Sequence, residues 1–482
     1  MNPKKKPAFI KNINQMLPFS NLGPAQILVI GFLVIIFIGA CLLALPIASQ
    51  NNQSIPFLDA LFTATSATCV TGLVVVNTYA HWTLFGKIVI ISLIQVGGLG
   101  FMTLVSMIFV LLGKRISLRD RLIMQEALSQ DTTAGIVRFT RQIVRGTLIV
   151  EGVGALLLSV KFIPEYGFLK GSWYSVFHSI SAFCNGGFDI IGDANLTPYR
   201  GSVIINFTIM GLIILGGLGF GVWMDVIGGF KRKFQDKRKF TWKQIFHRLS
   251  LHTKLVLVIS GYLIVIGFVF FFIAEFKNVD TLGLLSFKDK VLGALFQSVS
   301  PRTAGFNTMD LGAMKDASKF MTIILMFIGG SPAGTAGGIK TIAVGVLVIC
   351  AISTIKGKDS TEVFRRRIPA KAILRSLAVI MIALAVVLGI TIILSFTEDA
   401  QFIDLLFEAT SGFATVGLTL GVTPGLSFIG KIIMIIDMFI GRLGPVTMAV
   451  AIMIRQGNHK STIQYPEEKV LCRSEASCRE RV

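Results

Sequence analysis

The sequence is poor in charge. Only 15% of its 482 residues are Asp, Glu, Lys or Arg, against 53% hydrophobic, and a mean hydropathy of +0.73 leaves too little polar surface for the two or three soluble domains that such a length would otherwise suggest. Polar aromatics are scarce as well, with 4 Trp and 6 Tyr beside 38 Phe. The six cysteines include no CxxC and no Cys/His spacing suited to a metal. Cys41, Cys69, Cys184 and Cys350 stand singly in apolar surroundings, and only Cys472 and Cys478 lie near one another. Met1 to Pro18 carries Lys4, Lys5, Lys6 and Lys11 but no small-residue cleavage site after its first apolar run, so it reads as a cytoplasmic leader rather than a signal peptide. What the chain does have is apolar runs along its whole length. They exclude a secreted enzyme with one anchor and predict an integral membrane protein.

Runs long enough to cross a bilayer, roughly 20 residues, fall at Gln26–Pro46, Leu84–Gly113, Ile143–Ile163, Ser202–Gly228, Leu255–Phe276, Phe320–Ile355, Leu377–Phe396 and Ile429–Ile454. Eight spans put both termini on one side. The segments 1–24, 113–141, 229–254, 356–375 and 455–482 hold 32 Lys and Arg, whereas the alternate segments 46–87, 164–200, 275–319 and 398–431 hold 10. Acidic residues show no such bias, at 10 against 13. The net charge of +20 is therefore the positive-inside signature and not a nucleic-acid patch, and the termini and the Lys231–Lys239 and Arg365–Lys371 clusters are expected in the cytoplasm.

Each outer loop holds a segment too short to cross, and the four share a pattern. Phe62 and Ser66, Phe177 and Ser181, Phe296 and Ser300, and Phe407 and Ser411 stand four apart, on one face of a helix. An extended stretch with a glycine follows each: Val70-Thr71-Gly72-Leu73, Asn185-Gly186-Gly187-Phe188, Thr303-Ala304-Gly305-Phe306 and Thr415-Val416-Gly417-Leu418. The Phe-to-Gly offsets are 10, 10, 9 and 10, and successive glycines lie 115, 118 and 112 residues apart. Small-residue clusters then interrupt the second span of each pair: Gly97-Gly98-Leu99-Gly100, Gly216-Gly217-Leu218-Gly219, Gly329-Gly330-Ser331 and Gly441-Arg442-Leu443-Gly444.

Two spans per copy leave all four copies in the same orientation, so the expected fold is all-α, with eight transmembrane helices as four parallel span/pore-helix/span repeats around one pseudo-fourfold pore. The repeats are bounded at 25–113, 114–228, 255–355 and 373–455. Between and around them lie the leader 1–24, the basic loops 229–254 and 356–372, and the tail 456–482. Irregular backbone at membrane depth survives only inside protein or along a water-filled path. Four re-entrant helices ending in glycine loops meet that condition around a shared axis, where backbone carbonyls at Gly72, Gly187, Gly305 and Gly417 replace the hydration shell of an ion and the helix C-termini favour a cation. A single such glycine would be read as a helix C-cap. Gly217-Leu218-Gly219-Phe220-Gly221 mimics a dinucleotide fingerprint but lies inside an apolar run with no preceding strand.

On these four loops, the glycine-rich break in the sixth span and the arginine in the eighth, the sequence resembles the Trk/Ktr/HKT superfamily of potassium transporters, most closely the bacterial KtrB-type membrane subunit, over roughly Ile27 to Tyr465. The resemblance implies a potassium-conducting subunit of the plasma membrane that forms homodimers, each chain with its own pore, above a separate cytosolic nucleotide-binding regulatory ring of the KtrA type. No cofactor is implied for this chain itself, and sodium activation stays open. No extra pair of helices is expected before the first repeat, which argues against the larger Trk-type member. Sodium-preferring plant relatives carry Ser for the first filter glycine, so Gly72 points to potassium. The tail from Cys472 to Val482 departs from the resembled pattern, in which an apolar end follows Tyr465-Pro466-Glu467-Glu468.

Two further features bear on conduction. Gly329-Gly330-Ser331-Pro332-Ala333-Gly334-Thr335-Ala336-Gly337-Gly338 cannot be a continuous helix, because Pro332 removes a donor and each glycine costs ~1 kcal/mol of propensity. It is either a kinked helix packed through its glycines or an intramembrane loop that obstructs ions until displaced, and the resembled family uses this segment as a gate. A Walker A phosphate loop is excluded, since Ile339 separates Gly338 from Lys340 and no strand precedes it. Arg442 stands in the register of Gly98, Gly217 and Gly330. A central membrane arginine costs ~2.5–3.5 kcal/mol on insertion scales, so it is either salt-bridged to Asp437 or Glu151 or held as a fixed charge below the filter. Asp225 and Gln95 read as interfacial or packing groups, and His178 and Glu408 as packing residues or as groups that tune the outer vestibule. The rival activities are a Na+- or H+-coupled potassium symporter and an intramembrane enzyme. The second lacks any His, Cys or carboxylate cluster on matched helical faces.

Overall fold

The computed structural model describes residues 23–448, apart from 101, 104–105, 108–115, 129–131, 133, 193–194, 236–241 and 446. The leader, the tail with Cys472 and Cys478, the centre of the first basic cluster and the far ends of the Leu84–Gly113 and Ile429–Ile454 runs lie wholly or largely outside the described residues.

The described chain is mostly helical. Pro24–Leu43, Ile136–Tyr166, Leu251–Glu275 and Ala370–Thr397 are each long and apolar enough to cross a membrane. They fall on the first span of each expected repeat. Their outward faces carry exposed Leu33, Phe37, Leu156, Val265 and Ile392, the surface that lipid chains cover. The helices expected to return behave differently. Leu84–Leu99 stops after 16 residues, about 24 Å by helical rise, with Gly100 in a left-handed C-cap. Val203–Gly217 turns by 100° into the helix beginning at Phe220, so the run Ser202–Gly228 is not one straight span. The sixth run is divided into Asp316–Phe327 and Thr341–Ile355 by non-helical backbone, and Phe428–Leu443 ends at Gly444. The sequence places glycine clusters at each of these breaks, and a glycine at φ +77° to +89° terminates three of the helices.

Four short helices, Phe57–Cys69, Phe168–Phe183, Phe287–Val299 and Phe402–Phe413, lie between the long ones and each runs directly into one of the glycine stretches. Three have an acid in the first turn (Asp59, Asp289, Asp404), which suits the positive end of the helix dipole. Two of those acids also join neighbouring quarters of the chain. Lys319 lies 3.4 Å from Asp404, and Lys431 lies 2.6 Å from Asp59, so the last quarter closes onto the first. The only strands among the described residues are the antiparallel pair Glu362–Val363 and Arg366–Arg367 in the second basic loop, turned by Phe364 and Arg365 at φ +51° and +60°.

Candidate ion-conduction site

The four glycine stretches meet one another. A Cβ built on Gly72 would fall 2.6 Å from the Gly186 carbonyl oxygen, and one on Gly187 would fall 2.8 Å from that of Ala304. On Gly305 it would strike the carbonyl of Val416, and on Gly417 that of Thr71. The contacts run 72–187–305–417 and back to 72, a closed ring in which each glycine packs on the peptide before the next.

The backbone repeats with the same fidelity. Val70, Asn185, Thr303 and Thr415, each two residues before its glycine, have φ of +58°, +61°, +73° and +52°, and the glycines themselves have φ of +96°, +68°, +78° and +89°. Left-handed backbone at β-branched Val70, Thr303 and Thr415 is a genuine outlier that costs about 1–3 kcal/mol per site, so the surrounding packing must impose it. The two positive-φ residues in each stretch break any helical pattern, and the peptide carbonyls are left without intrasegment partners. Among the described residues no hydrogen bond reaches the carbonyl oxygens of Val70 to Gly72, Asn185 to Gly187, Thr303 to Gly305 or Thr415 to Gly417. The amides are used instead: Thr71, Gly186 and Val416 donate to the carbonyls of Ser66, Ser181 and Ser411, at 2.7, 2.6 and 2.9 Å.

The third stretch, one residue short, keeps its place because Ala304 donates four residues back to Ser300 at 2.9 Å, where the others donate five back. The deletion is absorbed in the turn between helix and loop. The serine of the recurring Phe/Ser pair now has a function that sequence spacing did not disclose. Ser66 and Ser411 hydroxyls accept from the Gly72 and Gly417 amides at 3.0 and 3.1 Å. Ser181 and Ser300 hydroxyls donate to the carbonyls of Phe188 and Phe306, the residues just past Gly187 and Gly305. One hydroxyl in each repeat ties the loop to its own short helix.

Outside the ring is a cavity of about 420 Å³ lined by Gly72, Gly187, Gly305 and Gly417 together with Asp189, Asp310 and Asn307. Beneath is a cavity of about 180 Å³ lined by Gly98, Gly100, Ala333, Gly334, Lys340 and Arg442. Between them the interrupted second helices press on the short ones. A Cβ at Gly97, Gly216 or Gly441 would run into the carbonyl of Thr68, Phe183 or Phe413, each four residues before a ring glycine. Replacing Gly441 by Ala should therefore lower stability by about 1–3 kcal/mol, read as a drop of several degrees in the apparent Tm of detergent-solubilised protein, whereas Ala at Gly389, where a Cβ meets nothing within 4 Å, should leave it unchanged.

The segment from Gly329 to Lys340 is a loop and not a kinked helix. Ser331 and Thr335 amides donate to the carbonyls of Gly217 and Gly216 at 2.8 and 3.2 Å, and the Phe220 amide donates to Ala333 at 2.8 Å. The Thr335 hydroxyl donates to the Phe183 carbonyl at 3.1 Å and accepts from Asn185 Nδ2 at 3.2 Å. Gly337 and Gly338 pack under Thr415 and Ala414. Ile328 and Ile339 pair as a parallel bridge, so the two feet of the loop stand side by side. The expected gate residues Gly329, Gly330, Ser331, Pro332, Gly334, Gly337 and Gly338 thus lie in one strap below the ring, stapled to the second repeat at one side and to the fourth at the other.

Arg442 pairs with neither Asp437 nor Glu151. Its Nη1 donates to the Thr335 carbonyl at 2.5 Å, and its Nη2 donates to the carbonyls of Gly97 and Gly98. The guanidinium therefore spans from the end of the Leu84–Leu99 helix to the strap, where unpaired helix-terminal carbonyls supply partial negative charge. Lys340, absent from the gate residues expected from sequence, reaches the Ala336 carbonyl at 2.8 Å and lines the same inner cavity. Its position immediately after the glycine run was the available signal. Glu151 is instead joined to Gln95 at 3.3 Å, a packing contact, and Asp225 accepts from the Ser250 amide at 2.9 Å. His178 and Glu408 are buried behind the ring and line neither cavity.

Comparison with known proteins gives a consistent picture. The model of the TrkH family, described as cation transport protein, matches residues 10–462. The chain is 42% identical to Ktr system potassium uptake protein B of Bacillus subtilis, over 95% of this chain and 98% of the relative. It is 38% identical to potassium/sodium uptake protein NtpJ of Enterococcus hirae, over 93% of this chain and 97% of the relative. Among solved structures, the crystal structure of the potassium transporter TrkH from Vibrio parahaemolyticus superposes with a TM-score of 0.70 at 19% identity, covering 90% of this chain and 86% of that one, a likeness of fold.

Proposed function

The chain belongs to the TrkH family of cation transport proteins, and from that premise we propose that it is the ion-conducting subunit of a Ktr-type potassium uptake system, a multi-pass protein of the plasma membrane with both termini in the cytoplasm. Its four span/pore-helix/span repeats surround one conduction path. Potassium gathers in the outer cavity beside Asp189 and Asp310, exchanges its water for the carbonyls of residues 70–72, 185–187, 303–305 and 415–417, and moves inward down its electrochemical gradient. A membrane potential supplies ~2.3 kcal/mol per charge per 100 mV, enough to accumulate a cation without a coupling ion. The observation that carries this reading is the closed ring of four loops, each with positive φ at its glycine and two residues before it, and with carbonyls that no donor among the described residues occupies.

The strap Gly329–Gly338 acts as the gate, and Arg442, held to it through the Thr335 carbonyl, adds a positive charge that opposes cation passage while the strap is in place. Two such chains form a homodimer with one path each, and a separate cytosolic nucleotide-binding ring docks on the basic inner loops to displace the strap. Nucleotide acts through that ring alone.

The test is flux. Purified protein in proteoliposomes, with and without the regulatory partner, is expected to pass potassium down an imposed potassium gradient when sodium is absent and no pH difference is present. Uptake that requires a sodium or proton gradient would instead assign the chain to coupled symport. Sodium flux measured in the same vesicles sets the selectivity baseline, a needed reference given that one relative is named for both ions.

A further inference from the structure

Behind the ring the four repeats differ. One residue after the phenylalanine of each short helix stand Thr63, His178, Gln297 and Glu408, all buried. The carboxylate of Glu408 accepts hydrogen bonds from the segment leaving the fourth loop, among them from the Leu420 amide at 3.1 Å, from the Thr423 hydroxyl at 2.7 Å and from the Thr419 hydroxyl. Leu420 is the third residue after Gly417.

The second repeat makes the same connection with different chemistry. Nδ1 of His178 lies 2.7 Å from the Tyr174 carbonyl, which can only accept, so Nδ1 carries the proton and Nε2 is left as the acceptor. Facing Nε2 at 3.4 Å is the amide of Ile190, the third residue after Gly187. The other two repeats lack the link. Thr63 donates one turn back to Asp59, and the Gln297 amide donates to Thr322 while its Oε1 has no partner among the described residues.

Contacts run from Gly72 to Gly187 to Gly305 to Gly417, so the two linked loops face each other across the ring. We infer that Glu408 and His178 are positioning residues which brace the fourth and second loops as a diagonal pair and set the width of the ion path. This rests on the filter reading above. Neither side chain lines the outer cavity, and only Thr419, held by Glu408, does. The brace therefore works through the backbone and not by attracting cations directly. Glu408 is the stronger member, since it accepts several hydrogen bonds from its loop where His178 accepts one.

Potassium and sodium uptake by proteoliposomes separates the possibilities. Glu408→Gln keeps an acceptor for Leu420 and is expected to hold the potassium-to-sodium ratio within about twofold of the parent, whereas Glu408→Met removes it and should lower the ratio about tenfold. If the Met variant is not monodisperse, Thr423→Val, which removes one donor from the carboxylate, should lower the ratio severalfold. An unchanged ratio in folded Glu408→Met or Thr423→Val overturns the brace. So does an equal fall in the Gln and Met variants, which would make charge, and not the acceptor, the active feature. Gly72→Ser in the same vesicles tells the two readings apart: if it alters selectivity while the Glu408 variants do not, the brace fails and the filter stands. If it is inert, both fail.

Discussion

Protein lacking Gly330–Gly338 will take up potassium faster than the parent, by about tenfold or more in the absence of the regulatory partner, equivalent to removing ~1.4 kcal/mol of barrier. The strap crosses beneath the ring and borders the inner cavity, so on the gate reading its removal opens the path. Its feet make the deletion practicable. Ile328 and Ile339 are already paired, and a Cβ on Gly329 would lie 3.1 Å from the Ile339 carbonyl, so Gly329 and Ile339 can be joined without drawing the flanking helices together. Arg442→Ala should act in the same direction but less strongly, because it removes a charge and the tie to Thr335 while the strap remains held by Gly216, Gly217 and Phe220. The measurement is initial potassium uptake into proteoliposomes by monodisperse deletion protein against the parent. Equal or slower uptake would sink the gate assignment and leave the filter assignment untouched.

Substituting Gly72 by Ser is expected to cost selectivity. The residue sits at φ +96°, where an L side chain is strained, and the added Cβ would lie 2.6 Å from the Gly186 carbonyl oxygen, so the strain cannot be relieved without moving the second loop. Since each ring glycine packs on the preceding peptide of the next loop, the displacement passes to neighbours. Carbonyl spacing is what distinguishes a dehydrated potassium ion from the smaller sodium ion, whether through cavity size or through the number of dipoles that converge. The potassium-to-sodium ratio should therefore fall by about tenfold or more, with total flux less affected. Reversal potentials or paired flux assays that match the parent would remove Gly72 from the filter.

How far the site could be read in advance varies from element to element. The four loops were legible because their glycines recur at 115, 118 and 112 residues after helices that share Phe and Ser four apart, a local pattern repeated too evenly for chance. The break was legible because Pro332 among five glycines forbids a continuous helix, but a kinked helix and a loop both stayed open. The other open choices concerned partners. Whether Arg442 met Asp437, Glu151 or neither could not be read from spacing, because its acceptors are carbonyls 345 and 107 residues away in the chain. Lys340 stands outside the expected gate residues although its acceptor, the Ala336 carbonyl, is only four residues back, and the single run expected over Ser202–Gly228 does not show the 100° turn at Leu218 and Gly219, since hydropathy does not register direction.

By itself the sequence determined the membrane character, the concentration of basic residues in alternate loops, the fourfold recurrence and the positions where helices must stop, all of which follow from residue type and period within short windows. Only the tertiary structure decided that the loops close as a ring in chain order, that the shortened third copy stays in register by changing a five-residue turn to a four-residue one, and that the recurring serine accepts from an amide in two repeats and donates to a carbonyl in the other two. It alone set Arg442 on backbone carbonyls and placed Glu408 and His178 on opposite sides of the ring. The physical reason is common to these cases. Burial and helix propensity are summed along the chain and survive without a fold, but a hydrogen bond needs donor and acceptor within about 3 Å at a fixed angle. Which groups arrive there is settled by how the helices pack.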